Sequence, residues 1–109
     1  MTMSLVVFPA KDLDASKTLF NALLGTEPYV DQPYYVGYRV GDLEFGLDPN
    51  AGSASPICYW PVTDVDASVQ SLTAAGAEVA EAPHDVGGGT MIAKLTIPSG
   101  SVIGLRQSP

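Results

Sequence analysis

Apolar positions along the chain follow two alternating rhythms. Over residues 5–8 and 57–62 they run together in short stretches rich in Val and aromatic residues, a composition that predicts strands. Downstream of each stretch the spacing changes to three or four: Leu13, Leu19, Phe20, Leu23 and Leu24, then Val65, Val69, Leu72 and Ala75. That periodicity predicts helices over residues 13–24 and 65–75. Asp12 or Asp14, and Asp64 or Asp66, stand where a side-chain oxygen can take the orphan amides of a first helical turn. Gly25 and Gly76 are natural helix stops. Three strand candidates follow each helix: residues 27–30, 34–40 and 43–47, then 77–82, 91–97 and 101–106. Gly41-Asp42 and Pro98-Ser99-Gly100 supply the hairpin turns. Gly87-Gly88-Gly89 reads as a flexible loop inside the second half.

The chain repeats itself. Phe8-Pro9-Ala10-Lys11-Asp12-Leu13-Asp14-Ala15-Ser16 returns as Trp60-Pro61-Val62-Thr63-Asp64-Val65-Asp66-Ala67-Ser68. Each copy is preceded by a strand-like run and followed by a helix ending in Gly, and each half closes on Gly-Leu, Gly46-Leu47 and Gly104-Leu105. A repeated unit of this size is a repeated supersecondary structure. The turn-rich stretch from Asp48 to Pro56 separates the copies. The expected organisation is a first βαβββ module over residues 1–50, a linker over 51–56 and a second module over 57–109.

Two βαβββ halves, each opening with a strand and then Asp-aliphatic-Asp-Ala-Ser, resemble the glyoxalase, bleomycin-resistance and extradiol dioxygenase (vicinal oxygen chelate) superfamily. The likeness covers residues 4 to 107 and implies an α+β fold, two βαβββ modules forming a cupped mixed sheet with helices on the outer face. It also implies a ligand in the cup and a homodimer. The family's enzymes hold a metal with side chains at the start of the first strand and in the last strand of each half. The last-strand ligand follows a hairpin as Gly-x-x-x-Glu-Leu. Counting from the helix-opening Asp12 and Asp64 puts the first-strand positions at Leu5 and Ile57, and the hairpins put the last-strand positions at Gly46 and Gly104. None of the four carries a nitrogen, oxygen or sulfur donor in its side chain, so no metal and no cofactor is expected. A register slip of one or two residues would bring Glu44 alone into such a position.

Composition narrows the partners. Of 109 residues, 46% are hydrophobic and 16% charged, a globular balance. Twelve acidic residues against five basic ones give a net charge of −7, a field that repels phosphate backbones and anionic membranes. Nucleic acid and membrane are therefore not expected partners. Cys58 is the only cysteine, so no intramolecular disulfide forms, and the N-terminal residues lack the basic and apolar regions of a signal peptide. A cytoplasmic location is the expectation.

Strand alternation selects the candidate chemistry. If Phe45, Leu47, Ile103 and Leu105 face the helices, then Glu44, Gly46, Val102, Gly104 and Arg106 face the cup. Leu5, Val7, Ile57 and Tyr59 join them, as do Tyr35, Gly37 and Arg39. Tyr35, Arg39, Glu44, Gly46, Tyr59 and Gly104 form the expected ligand-binding set. Tyr and Arg supply a wall that stacks on a flat molecule and hydrogen-bonds it; as plain strand residues they would only pack cross-strand pairs. The two glycines permit close approach of a ligand or a neighbouring group. Glu44 is the one candidate for acid–base chemistry, and otherwise an ordinary solvated strand residue. Trp60 reads as core packing and Cys58 as buried and inert. His84, in a loop, neighbours Asp85 without a nucleophile, and Gly87-Gly88-Gly89 lacks the Lys-Ser/Thr and helix of a phosphate loop. The leading expectation is a protein that binds a small, partly aromatic molecule without a metal, in a sequestration or carrier role. A lyase, isomerase or dioxygenase-type enzyme, cofactor-free or with ligands elsewhere, is the alternative. A non-catalytic regulatory module is the third class.

Overall fold

The computed structural model describes residues 2–51 and 55–109. Part of the expected linker, residues 52–54, lies outside the described residues. The chain is α+β and divides into two compact units, Ser4–Ile57 and Cys58–Pro109.

The N-terminal module runs β1 (Leu5–Pro9), α1 (Leu13–Leu24), β2 (Val30–Gln32), β3 (Tyr35–Val40) and β4 (Leu43–Asp48). Its strands lie in the order β2-β3-β4-β1, with β1 parallel to β4 and the other pairs antiparallel. The parallel pair follows from α1, because parallel neighbours need a long crossover. The C-terminal module repeats the plan with β5 (Ile57–Pro61), α2 (Val65–Ala74), β6 (Glu78–Asp85), β7 (Met91–Thr96) and β8 (Val102–Gln107), in the order β5-β8-β7-β6. β5 is parallel to β8.

The helices begin where the aspartates are. Asp12 Oδ1 accepts from Ala15 N–H at 3.0 Å, and Asp64 Oδ1 accepts from Ala67 N–H at 3.1 Å. In α2 the Gln107 side chain also takes the Val65 N–H at 2.8 Å, tying the helix to β8. Gly25 ends α1 in the left-handed region (φ 67, ψ 27), and Gly76 takes the positive φ that follows Ala75.

Each helix covers one face of its own module's sheet. Ala10, Val36, Tyr38 and Leu47 are buried against Phe8, Leu13, Phe20, Leu24 and Phe45. Val65, Ala93, Leu95 and Leu105 are buried against Val69, Leu72, Met91 and Ile103, among others. Tyr38 is a buried aromatic with a satisfied polar end: its hydroxyl donates to Asn21 Oδ1 at 2.6 Å, with Lys17 O at 3.2 Å. Burial pushes its hydroxyl pKa up, Lys17 opposing and Glu27 and Asp31 adding to the rise.

Several expectations need correction. Leu19 and Leu23 are exposed, because at 100° per residue they lie beside the Leu13–Phe20–Leu24 stripe and not on it. The second strand of the first half is Val30–Gln32, later than residues 27–30, because its extent is set by pairing with β3. β6 continues to Asp85, so His84 is a strand residue opposite Ile92 and not a loop histidine. One of the two register irregularities in β6, between Glu81 and His84, spans Pro83, and β6 is the outermost strand of its module, where a proline is tolerated. Cys58 is half-buried.

Candidate functional site

The face of the N-terminal sheet turned away from α1 is built by alternation and register. Gly37 pairs with Gly46, Arg39 with Glu44, Glu44 with Leu5 and Gly46 with Val7. Tyr35, Arg39, Glu44 and Gly46 therefore share one face of one sheet.

Two adjacent glycines leave a bare strip of backbone, and the Tyr35 ring lies across it. A Cβ built on Gly46 would meet the Tyr35 hydroxyl and stand 2.7 Å from its Cζ; one built on Gly37 would stand 3.2 Å from Cε2 of the same ring. Neither glycine has a positive φ, so both are required by space and not by backbone conformation.

Beside that ring is a polar cluster. Tyr29 donates its hydroxyl to Glu44 Oε1. Arg39 Nη2 reaches the same oxygen at 3.3 Å, and its Cζ lies 4.5 Å from the centroid of the Tyr29 ring. The Glu44 side chain is 14% exposed and that of Arg39 62%, while Tyr29 is 52% exposed. Glu44 is thus an anchor held from two sides, and Arg39 a positioned guanidinium open to solvent. Tyr29 was not legible as a site residue. It lies just outside β2, so no periodicity aims it; its backbone N–H donates to Gly37 O at 2.9 Å.

In the C-terminal module Tyr59 pairs directly with Gly104, and its ring covers the glycine: a Cβ on Gly104 would stand 2.6 Å from Tyr59 Cγ and closer still to Cδ1 and Cε1. Tyr59 is 4% exposed and Gly104 is buried, so this pair is closed by its own packing. On the same face, Glu81 Oε2 lies 3.7 Å from Lys94 Nζ and 3.9 Å from His84 Nε2. His84 Nδ1 is 2.9 Å from Ala82 O. The ion pairs are partly exposed and each contributes little to stability.

The metal positions implied by the family resemblance do not fit a divalent cation. Leu5 and Ile57 offer no donor, and the space over Gly46 and Gly104 is taken by tyrosine rings. Glu44, the one carboxylate a register slip could enlist, is engaged by Tyr29 and Arg39. Among the described residues, no three His, Cys, Asp or Glu side chains come together as a metal set.

This arrangement of helices and mixed sheets defines the fold of the glyoxalase, bleomycin-resistance and dioxygenase superfamily. A superfamily member of that description from Vibrio splendidus superposes with TM-score 0.73 at 17% identity, over 94% of this chain and 95% of its own. A structure described as an NAD-dependent benzaldehyde dehydrogenase from Legionella pneumophila gives TM-score 0.78 at 17% identity, over 96% and 98%. Methylmalonyl-CoA epimerase from Streptomyces coelicolor, in complex with 2-nitronate-propionyl-CoA, gives 0.68 at 18%, over 99% and 94%. No protein-family model matches the sequence, and no curated protein does. At these identities the likeness is one of fold. No helix among the described residues is long and apolar enough to cross a membrane.

Proposed function

We propose that this chain binds a small, partly aromatic or amphipathic molecule without a metal, on the sheet face of the N-terminal module turned away from α1. The observation that carries this reading is the Gly37–Gly46 strip overlaid by Tyr35, with Arg39, Tyr29 and Glu44 beside it. With Gly37 and Gly46 buried beneath it, the partly buried Tyr35 ring stands next to a guanidinium held by an aromatic face and a carboxylate, which combines apolar contact with oriented polar groups. That combination is what small-molecule sites share. Sequestration or carriage needs affinity alone, which is consistent with donor-free metal positions. Tyr59 and Gly104 support the fold of the second module and, being buried, contribute no contact surface of their own.

One observation favours a second reading, an enzyme. Glu44 is held between a phenol and a guanidinium, an arrangement able to relay a proton, and a fold neighbour is named as an epimerase. A cytoplasmic homodimer is part of the leading proposal, supported by the resemblance and by β6, an outermost strand of its module that carries an unpaired edge.

The test is a panel of metabolites and antibiotics screened by ligand-observed NMR against the purified protein, with each binder re-isolated. Binding with recovery of the unchanged compound supports the binding protein. Conversion that disappears in Glu44→Gln supports the enzyme. A panel with no binder refutes both. Sedimentation velocity reads the oligomeric state, and a monomer at micromolar concentration refutes the dimer.

A further inference from the structure

We propose that the molecule bound on this face carries a carboxylate, and that the Arg39 guanidinium recognises it; this rests on the ligand-binding reading above.

The strands of the N-terminal module contain one cation, Arg39, in a chain with only five basic residues and a net charge of −7. Lys17, by contrast, belongs to α1 and pairs with Asp31 at 2.6 Å on the helix side of the sheet. A single cation on a sheet face of an acidic protein is where an anion from solution meets least repulsion.

The guanidinium is also ordered in advance. A flexible surface arginine loses entropy when it settles around a ligand, whereas Arg39 is already fixed from two directions. The guanidinium carbon lies over the Tyr29 ring and Glu44 holds Nη2. Glu44 is itself held by the Tyr29 hydroxyl, so the three side chains form a closed loop. A guanidinium has five N–H donors in a fixed fork, and the bond to Glu44 occupies one edge. The side chain as a whole is 62% exposed, so the group can be reached from solvent. A planar fork with one edge anchored and another open suits a planar two-oxygen acceptor.

Glu44 does not defeat the attraction. Its carboxylate is mostly buried and engaged, so an incoming anion meets the exposed guanidinium before it meets Glu44. The third charged residue at this face's alternation, Asp48, lies at the opposite end of β4 and is used by the Asn50 amide at 2.8 Å.

The experiment uses matched acid and amide pairs: benzoate with benzamide, hexanoate with hexanamide, and indole-3-acetate with indole-3-acetamide. Each is titrated into protein labelled with ¹⁵N-arginine, following the Arg39 Nε–Hε resonance, assigned by its loss in Arg39→Gln. The expected result is at least one acid binding about tenfold tighter than its amide, the worth of one charge-assisted contact. The Arg39 resonance moves with the acid, and the preference collapses in Arg39→Gln and weakens in Arg39→Lys, which keeps the charge and loses the fork. Unchanged amide dispersion in uniformly ¹⁵N-labelled samples certifies that both variants fold. Equal binding of acid and amide, or a preference that survives Arg39→Gln, overturns the carboxylate assignment and leaves the binding protein standing. The assignment also falls if the only binders found, in this series or in the wider panel, lack an acid group. No binder of any kind overturns both.

Discussion

The sharpest consequence of the packing is that two glycines at equivalent places in the two modules should tolerate a methyl group very differently. Gly46→Ala puts Cβ against the far end of the Tyr35 ring, its hydroxyl, Cζ and Cε1. Tyr35 is only partly buried, so its ring can swing aside. Relief of glycine's backbone entropy, about 0.5–1 kcal/mol, offsets part of the cost. The net should be below about 1 kcal/mol. Gly104→Ala drives Cβ into Cγ, Cδ1 and Cε1 of Tyr59, the root of a ring that is 4% exposed. No rotation about the ring's own axis clears Cγ, so the strand pair itself must part. Overpacking of this kind costs about 1–3 kcal/mol, and the upper end applies here. Urea denaturation followed by the fluorescence of Trp60, the only tryptophan, measures both variants. Gly104→Ala should lose about 2–3 kcal/mol. A Tyr59→Ala background should then return most of that loss, giving a coupling well above the ~0.5 kcal/mol scatter of independent sites. If Gly104→Ala costs no more than Gly46→Ala, or its cost is unchanged when Tyr59 is removed, the steric account is wrong.

Other outcomes follow from the same contacts. Asp12→Ala and Asp64→Ala should each destabilise by about 1 kcal/mol in urea denaturation, since each removes an N-cap acceptor; a loss within error would mean water replaces the cap. Stability should fall in alkali. Folded Tyr38 holds its proton above the ordinary tyrosine range through burial, and Lys17 holds its own above the ordinary lysine range through its hydrogen bond to Asp31. Both contributions are complete below about pH 10 and are lost as pH rises through the raised values. Urea midpoints at pH 8 and 11 should show the drop, shallower in Tyr38→Phe, and equal slopes would refute the Tyr38 share. Incubation with zinc, nickel, manganese or iron should leave no stoichiometric metal by elemental analysis; one bound equivalent would mean that the tyrosine rings over Gly46 and Gly104 do not close those positions to a cation.

Where local chemistry decides, the sequence was readable. The span of α1, its Asp12 cap and its Gly25 stop depend on neighbours within four residues, and residues 13–24 form the helix. Strand faces were readable too, because alternation has period two: Val36, Tyr38, Phe45 and Leu47 pack with α1. Reading failed where position depends on a partner strand. Pro83 and His84 look like loop, yet β6 runs on to Asp85 and pairs with β7 through irregular register, while Gly87-Gly88-Gly89 do form the turn beyond it. Tyr29 gains its role only once Arg39 and Glu44 are brought opposite each other by the Gly41-Asp42 hairpin. That Tyr35 leans over Gly46 is a diagonal contact between strands, which spacing along one strand does not encode.

The two modules show why one repeated backbone can carry a candidate site in one half only. Opposite Gly46 in the parallel strand stands Val7, and opposite Gly104 stands Tyr59. Valine is too short to cover a glycine across a strand pair, so the space over Gly46 stays open to a ring from the other side. Gly37, its antiparallel partner, lets the Tyr35 ring pass over it. At the matching place in the second module stands Lys94, whose side chain would obstruct such a ring, and Tyr59 has already filled the space directly. The plug is therefore a partly buried ring in the first module and a buried one in the second. The same register places Arg39 opposite Glu44 in the first module and Thr96 opposite Val102 in the second. Substitutions at a few paired positions thus account for the difference: an adjustable aromatic cover beside a fixed guanidinium in one half, and a sealed packing joint in the other. Accordingly, Val7→Tyr, which copies the second module's arrangement into the first, should displace Tyr35 and abolish the binding proposed for the first module in the ligand-observed NMR screen, while Tyr59→Val should leave it intact.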